Sequence, residues 1–243
     1  MQIQFLKVTS FQLGLLVLIW FSDFSYPQSV ERDTTSAALS KRAFEQLQES
    51  MGHELQIEWN ANGTPIFLSN GLTSPGFVTN YSSTQAATFA FLQDHYGLFQ
   101  IKDPTMELQL IRSKTDELGM THLRFQQKYK DLPVWGCELI VHFCKDGSIS
   151  SINGRYQPSF TISLTPALSS EAAINRAKAR IQSALGKNPK FGDTNSSLVI
   201  FFKGVDKRLA WLVSLPSGVS PNSKCIIDAI TGEVLWIDTG IRK

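Results

Sequence analysis

Residues 119–156 read GMTHLRFQQKYKDLPVWGCELIVHFCKDGSISSINGRY. Apolar and polar residues alternate along three runs within this stretch, at 121–130, 137–144 and 148–156, and alternation with a period of two is typical of half-buried strands. Asp146-Gly147 separates the last two runs, and this dipeptide favours a tight hairpin turn. The stretch therefore predicts three strands of one sheet, the last two forming a hairpin.

A helix-then-strands order surrounds this stretch and is repeated after it. A helix is predicted from Ser83 to Tyr96, ended by Gly97, and a further strand at 106–112. About 86 residues later a helix capped by Ser169 and stopped by Gly186 precedes strand-like runs at 197–203, 208–215, 223–228 and 233–238. The expected fold is α+β, with two small modules, each an antiparallel sheet with a helix packed on one face. The predicted modules are 81–158 and 159–243, with 159–169 as the connection.

The N-terminus predicts export. Lys7 precedes an apolar run at 13–21, which is about half of the roughly 20 residues needed to cross a bilayer. Such a segment is typical of a signal peptide, predicted here as residues 1–28, and an uncleaved anchor is the alternative. The protein is therefore expected to be secreted, extracellular or periplasmic, without stable membrane insertion after cleavage. Residues 29–80 are predicted to carry a helix at 36–50 and a strand that leads into the first module.

The strand predicted within residues 29–80 contains HELQI, residues 53–57. This stretch resembles the first part of the zinc-protease pattern His-Glu-x-x-His. Ile57 stands where the second histidine belongs. His53, Leu55 and Ile57 alternate with polar residues, whereas zinc binding by that pattern needs a helix that brings positions i and i+4 to one face. HELQI is therefore predicted to be a strand without a metal.

The sequence shows no constellation that predicts catalysis. His122 and His142 lie on different predicted strands and could approach each other, but catalytic zinc normally takes three protein ligands and no third is evident. Cys137 and Cys144 would be roughly 23 Å apart on one strand, too far for a disulfide, and either could meet Cys225 only if two domains touch there. Buried free thiols are therefore expected. No catalytic, cofactor-binding or metal-binding residue is predicted. The net charge of +2 over 243 residues gives no electrostatic case for nucleic acid.

Gly136 and Gly154 are predicted to serve the backbone, not a ligand. Both stand beside bulky neighbours at expected strand boundaries, where a positive φ or a close chain approach requires glycine.

Several features of the quoted stretch, in register, resemble the fungalysin/thermolysin propeptide (FTP) domain of secreted thermolysin-like zinc protease precursors. They are His122-Leu-Arg-Phe-Gln-Gln-x-Tyr129, Pro133-Val134-x-Gly136, Glu138-Leu-Ile-Val-His142, Asp146-Gly147 and Ile152-Asn153-Gly154. The stretch KCIIDAITGEVLWI at 224–237 resembles the PepSY domain that follows in those precursors. Cys137 departs from the family, which often has a second glycine there. The zinc ligands of the family belong to a protease domain that this sequence does not contain, so none is carried over.

The resemblance implies a companion of a thermolysin-like zinc metalloprotease. The first hypothesis is a free-standing propeptide-like protein that acts as an inhibitor or folding assistant. The alternatives are the N-terminal propeptide fragment of a protease zymogen and a secreted, non-enzymatic binding module. The expected contacts with the protease are the sheet surface of the second module and the tail, with Asp238, Thr239, Gly240 and Ile241 as candidate partner-binding residues.

Overall fold

The computed structural model of the chain describes residues 29–71, 76–77, 81–186, 188–218 and 220–240. Its helices are α1 (Ser29–Met51), α2 (Thr84–Asp94), α3 (Tyr96–Phe99), α4 (Pro104–Glu107) and α5 (Ser170–Leu185). Its strands are β1 (Gln56–Trp59), β2 (Pro65–Ser69), β3 (Leu108–Thr115), β4 (Thr121–Tyr129), β5 (Leu132–Phe143), β6 (Ile149–Gly154), β7 (Asn195–Lys203), β8 (Asp206–Ser214), β9 (Lys224–Asp228) and β10 (Val234–Asp238). The predicted signal peptide lies outside the described residues. No helix within the described ranges is long and apolar enough to span a membrane.

The predicted α+β class is confirmed, but the strands join in one mixed sheet. Its order is β1-β2-β6-β5-β7-β8-β9-β10, with β4 paired to both β3 and β5. Strands β1 to β6 form the first half of the sheet, and β7 to β10 form the second half. Each half is antiparallel, and β5 pairs in parallel with β7, where Val134 meets Ile200. Because β5 belongs to both halves, the division into two modules stays a prediction.

Helices α1 to α3 and the strands of the first half enclose one core. Phe125 and Phe143 are its largest fully buried side chains, and Phe91 and Phe99 join the same core. Ser83 caps α2 as predicted, because its Oγ accepts a hydrogen bond from the amide of Ala86. The prediction that Gly97 ends this helix is wrong. Helix α2 ends at Asp94, and Gly97 lies inside α3, whose Leu98 and Phe99 turn into the core.

Two other predicted boundaries are corrected by local hydrogen bonding. The strand expected at 106–112 begins at Leu108, because Asp103 caps the short helix α4 by accepting from the amides of Thr105 and Met106. The strand in HELQIEW begins at Gln56, so His53 precedes it and contacts the carbonyl oxygen of Met51 at 3.0 Å. HELQI therefore lies at the start of a strand, as the alternation predicts, and its histidine is in the preceding turn.

The second half has one covered sheet face and one open face. Helix α5 begins after Ser169, whose Oγ accepts from the amide of Ala172, and ends at Gly186 with φ +60°, as predicted. Its Ala173, Ala177 and Ile181 are fully buried against the sheet. The connecting segment extends the cover with side chains that pack beside Ile200 and Leu209, namely Phe160, Ile162 and Leu164.

Candidate functional site

A bulge in β5 connects the two halves of the protein. Gln126 pairs with Glu138 and Lys128 with Pro133, so residues 134–137 lie opposite a single residue of β4. The side-chain amide of Gln126 donates to the carbonyl oxygens of Val134 and Cys137, at 2.8 and 2.9 Å. The carbonyl groups released from the ladder by the bulge thus keep hydrogen-bond partners.

The residues of the bulge contribute to the second half of the sheet. Val134 and Cys137 are buried in the core beneath the connecting segment, and Trp135 joins a cluster on the opposite face. Gly136 has φ +75°, a left-handed conformation that allows the backbone to form the bulge at this point. The predicted backbone role of Gly136 is confirmed, although the residue lies inside β5 and not at a strand boundary.

Gln127 fixes the chain where it leaves the first half. Its buried side chain accepts from the amide of Gln157 at 2.9 Å and donates to the carbonyl oxygen of the same residue at 2.8 Å. The Gln-Gln pair of the quoted stretch is therefore structural: one residue holds the bulge and the other holds the connecting segment.

A chain of polar side chains crosses the open face of the first half. Asp116 Oδ2 lies 3.0 Å from His122 Nε2, His122 Nδ1 lies 2.6 Å from His142 Nδ1, and His142 Nε2 lies 2.7 Å from Asn153 Oδ1. The hydrogen bond with the His122 side chain, helped by the amides of Met120 and Leu118, holds the pKa of Asp116 below its ordinary value.

The predicted proximity of His122 and His142 is confirmed. All four ring nitrogens of the pair have hydrogen-bond partners within this chain. No group of three or more metal-binding side chains with suitable geometry occurs among the residues that the structure describes. The absence of tightly bound zinc stays a prediction for the protein in solution.

An aromatic face lies on the side of the second half away from α5. We define the aromatic face as the half-buried side chains that surround the buried residues Val199, Ala210 and Ile226, namely Trp135, Phe201, Leu212, Leu235 and Trp236. Trp135 and Trp236 are in contact, with ring centroids 5.8 Å apart, and Lys224 Nζ lies 5.8 Å from the centroid of the Trp135 ring. In the described part of the chain, this cluster contains no residue from a helix.

The predicted tail residues lie at the end of β10. Asp238 is exposed and its Oδ1 accepts from the amide of Gly240 at 2.7 Å. The carbonyl oxygen of Thr239 accepts from the hydroxyls of Ser220 and Ser223. Ile241 lies outside the described residues. The tail is therefore fixed to a serine-rich loop as far as Gly240, and among its described residues Asp238 is exposed and Thr239 is half-buried.

The three cysteines are free, as predicted, but the expected burial holds for Cys137 and Cys225 and not for Cys144, which is half-buried. Burial raises the pKa of the Cys137 thiol to about 12, opposed by the charge of Arg155. Burial likewise raises the pKa of Cys225 to about 11, opposed by Arg180. Because the thiolate is the nucleophile, these two thiols are poorly suited to catalysis.

The class of protein is indicated by the stretch that builds the bulge, the Gln-Gln pair and the polar chain. Residues 107–156 match the Fungalysin/Thermolysin Propeptide Motif. The match begins at the last residue of α4 and ends two residues beyond β6.

Particular relatives are thermolysins and bacillolysins. The chain is 31% identical over 191 residues to thermolysin of Alicyclobacillus acidocaldarius subsp. acidocaldarius, covering 75% of this chain and 34% of the relative. It is 28% identical over 202 residues to bacillolysin of Bacillus subtilis (strain 168), covering 78% of this chain and 36% of the relative. The chain thus spans about a third of the length of these relatives. These matches support a region of the kind found in thermolysin propeptides.

Proposed function

We propose that the protein is a propeptide-like partner that binds a thermolysin-like zinc metalloprotease and acts on it as an inhibitor, a folding assistant or both. The observation that carries this proposal is the propeptide-motif match at 107–156, within a similarity to thermolysin that covers three quarters of the chain. The protein takes part in this function by binding and performs no chemistry of its own. The same binding role applies whether the protease is a separate molecule or is attached in a zymogen.

The aromatic face is the surface proposed to bind the protease. Its half-buried apolar side chains lie next to one another, and contiguous apolar surface of this kind marks interaction sites. Tryptophan is enriched among the residues that dominate binding energy. Trp135 comes from the motif-matched bulge and Trp236 from the last strand, so the surface requires both halves. A binding surface formed by both halves is what we expect if the two predicted modules, FTP-like and PepSY-like, bind the protease together.

Asp238 to Ile241 are proposed as secondary contacts. They follow Trp236 directly along the chain, and the bonds of Thr239 to the serine loop fix the direction in which the chain leaves the sheet. Delivery to the protease requires export, and we propose that residues 1–28 act as a signal peptide and that the protein is secreted.

The test is a titration of mature thermolysin with the purified protein, read as peptidase activity, together with the yield of active thermolysin after dilution from denaturant. We expect inhibition or an increased refolding yield. Replacing both tryptophans (W135S/W236S) should weaken the effect by about 30-fold or more, since even one central aromatic residue contributes on the order of 2 kcal/mol to such interfaces. L118S, at an exposed turn outside the aromatic face, is the matched control and should change the effect less than twofold.

The protein must be shown to be folded by circular dichroism in each experiment. A folded protein that neither inhibits nor assists thermolysin or a bacillolysin would overturn the proposal and favour the secreted binding module. Equal losses of inhibition or refolding yield in W135S/W236S and L118S would exclude the aromatic face as the binding surface.

A further inference from the structure

A lysine-rich cleft lies between the two halves, on the side of the sheet that carries the connecting segment. The cleft has a volume of about 590 Å³ and is lined by α4, the turn between β4 and β5, residues 157–161 and the start of β8. Lys207 and Leu209 point to the same side of β8, and Leu209 is buried under the connecting segment. The cleft and the aromatic face therefore lie on opposite sides of the second half.

The cleft carries an excess of positive charge. Its charged lining residues are Lys102, Lys128, Lys130, Lys207, Glu107 and Asp131. Asp131 lies 3.4 Å from Lys128. Glu107 is engaged elsewhere, because it accepts from the amides of Lys102 and Asp103 and from the hydroxyl of Tyr156. Within the described ranges, no carboxylate lies at ion-pair distance from the ammonium groups of Lys102, Lys130 and Lys207.

An aromatic pair forms one wall of the cleft. The rings of Tyr129 and Phe160 are stacked with centroids 4.6 Å apart, and Lys130 Nζ lies 5.5 Å from the Tyr129 centroid. Met106, 67% exposed, lines the cleft from α4. The wall therefore offers apolar contact beside the free ammonium groups, as a polypeptide with both acidic and apolar groups would need.

The backbone around the cleft is held in costly conformations. Lys130, Asp131 and Ser159 have φ values of +47°, +69° and +26°, although none is glycine. A left-handed conformation costs roughly 1–2 kcal/mol for such residues, and strain of this kind is concentrated at ligand-binding segments. The Lys130-Asp131 turn places the Lys130 side chain at the cleft. Asn-Gly would form the same turn at a lower conformational cost.

We propose that this cleft binds an acidic, extended polypeptide segment of a partner protein. Lysine ammonium groups suit single contacts with separate carboxylates, and the wall of Tyr129, Phe160 and Met106 suits the apolar groups of a polypeptide, which a free phosphate lacks. The open shape of the cleft also suits a chain that passes through it. This site is independent of the aromatic face, so a partner can occupy both.

The test is the binding of a fluorescein-labelled hexaglutamate peptide, measured by fluorescence anisotropy at 50 and 500 mM NaCl. We expect binding at low salt that weakens at high salt. K130Q/K207Q should bind about tenfold more weakly. The matched control is K41Q/K145Q, which removes the same charge from exposed positions outside the cleft and should bind within twofold of the unmodified protein.

Three outcomes would overturn the proposal. The first is no preference for hexaglutamate over a labelled hexaserine peptide, and the second is equal weakening in the two double variants. The third is displacement of the peptide by inorganic pyrophosphate at lower concentrations than by unlabelled hexaglutamate, which would assign the cleft to phosphate ligands. A protein that binds hexaglutamate but neither inhibits thermolysin or a bacillolysin nor assists its refolding would reject the proposed function and leave the cleft assignment standing.

Discussion

Gly136 and Gly154 both have positive φ, but their surroundings differ. Gly154 has φ +140°, and a Cβ there would lie 2.0 Å from the carbonyl oxygen of Glu138 on β5. Gly136 has φ +75°, and a Cβ there would meet no atom within 4 Å. At position 154 glycine is required by both the close contact and the conformation, and at position 136 by the conformation alone.

Gly154→Ala should therefore destabilise the protein more than Gly136→Ala. We expect a loss of about 1 kcal/mol for Gly136→Ala from the left-handed conformation, and about 3 kcal/mol or more for Gly154→Ala, because β5 and β6 must also separate. Urea unfolding followed by circular dichroism measures both. Equal losses, or a larger loss at Gly136, would contradict the close approach of β6 to Glu138.

At the scale of elements, Gln127 connects β4 to the segment that joins the halves. Its side chain satisfies both backbone groups of Gln157, and it is only 2% exposed. The neighbouring Gln126 satisfies the bulge of β5. Gln126 and Gln127, which lie on opposite faces of β4, thus stabilise the two connections between the halves. These connections are the bulge of β5 and the segment that begins at Gln157.

Gln127→Leu should lower the free energy of unfolding by about 1–3 kcal/mol, because it leaves the backbone amide and carbonyl of the half-buried Gln157 without these partners. Gln93→Leu, at an exposed position of α2, is the control and should change stability by less than about 0.5 kcal/mol. Chemical denaturation gives both values. A Gln127→Leu protein as stable as the control would show that water can replace the contacts with Gln157.

In the part of the molecule that the structure describes, the pKa is lowered at four of the aspartates that accept backbone amides in a turn or at a helix start: Asp103, Asp116, Asp146 and Asp228. At Asp146 the main cause is the hydrogen bond from the Ser148 side chain. At Asp228, in the β9–β10 turn, burial raises the pKa, but hydrogen bonds from Thr231 and Ile230, with the charge of Arg208, outweigh it.

Because these pKa values are lower in the folded state, their contribution to stability is complete above the ordinary aspartate value near 4 and is lost as the pH falls through the folded values. We expect the free energy of unfolding to be lower at pH 3 than at pH 5. A variant with all four aspartates replaced by asparagine should be less stable at pH 7 and lose less between pH 5 and 3. Denaturation in urea at the three pH values measures this. An equal acid loss in the two proteins would assign the pH dependence to other carboxylates.

Features that depend on residues close together in the chain can be predicted from the amino-acid pattern. Alternation located the strands, the hydroxyls of Ser83 and Ser169 began helices through bonds three residues away, and Gly186 ended one. The propeptide resemblance was carried by a single stretch and is supported by the motif match at 107–156. The expected helix stop at Gly97 is wrong, because the chain continues into α3 there and buries Leu98 and Phe99, which is a tertiary effect.

How the two halves join and which surfaces stay open depend on the path of the folded chain. Alternation divides a strand into two faces, but it does not say which face another element covers, so the aromatic face could not be distinguished from the face under α5. The pairing of Val134 with Ile200, the bond of Gln127 to Gln157 and the meeting of Lys102, Lys130 and Lys207 in one cleft each join residues tens of positions apart. Such contacts follow from the path of the whole chain, because packing and hydrogen bonding act between neighbours in space and leave no local pattern in the sequence.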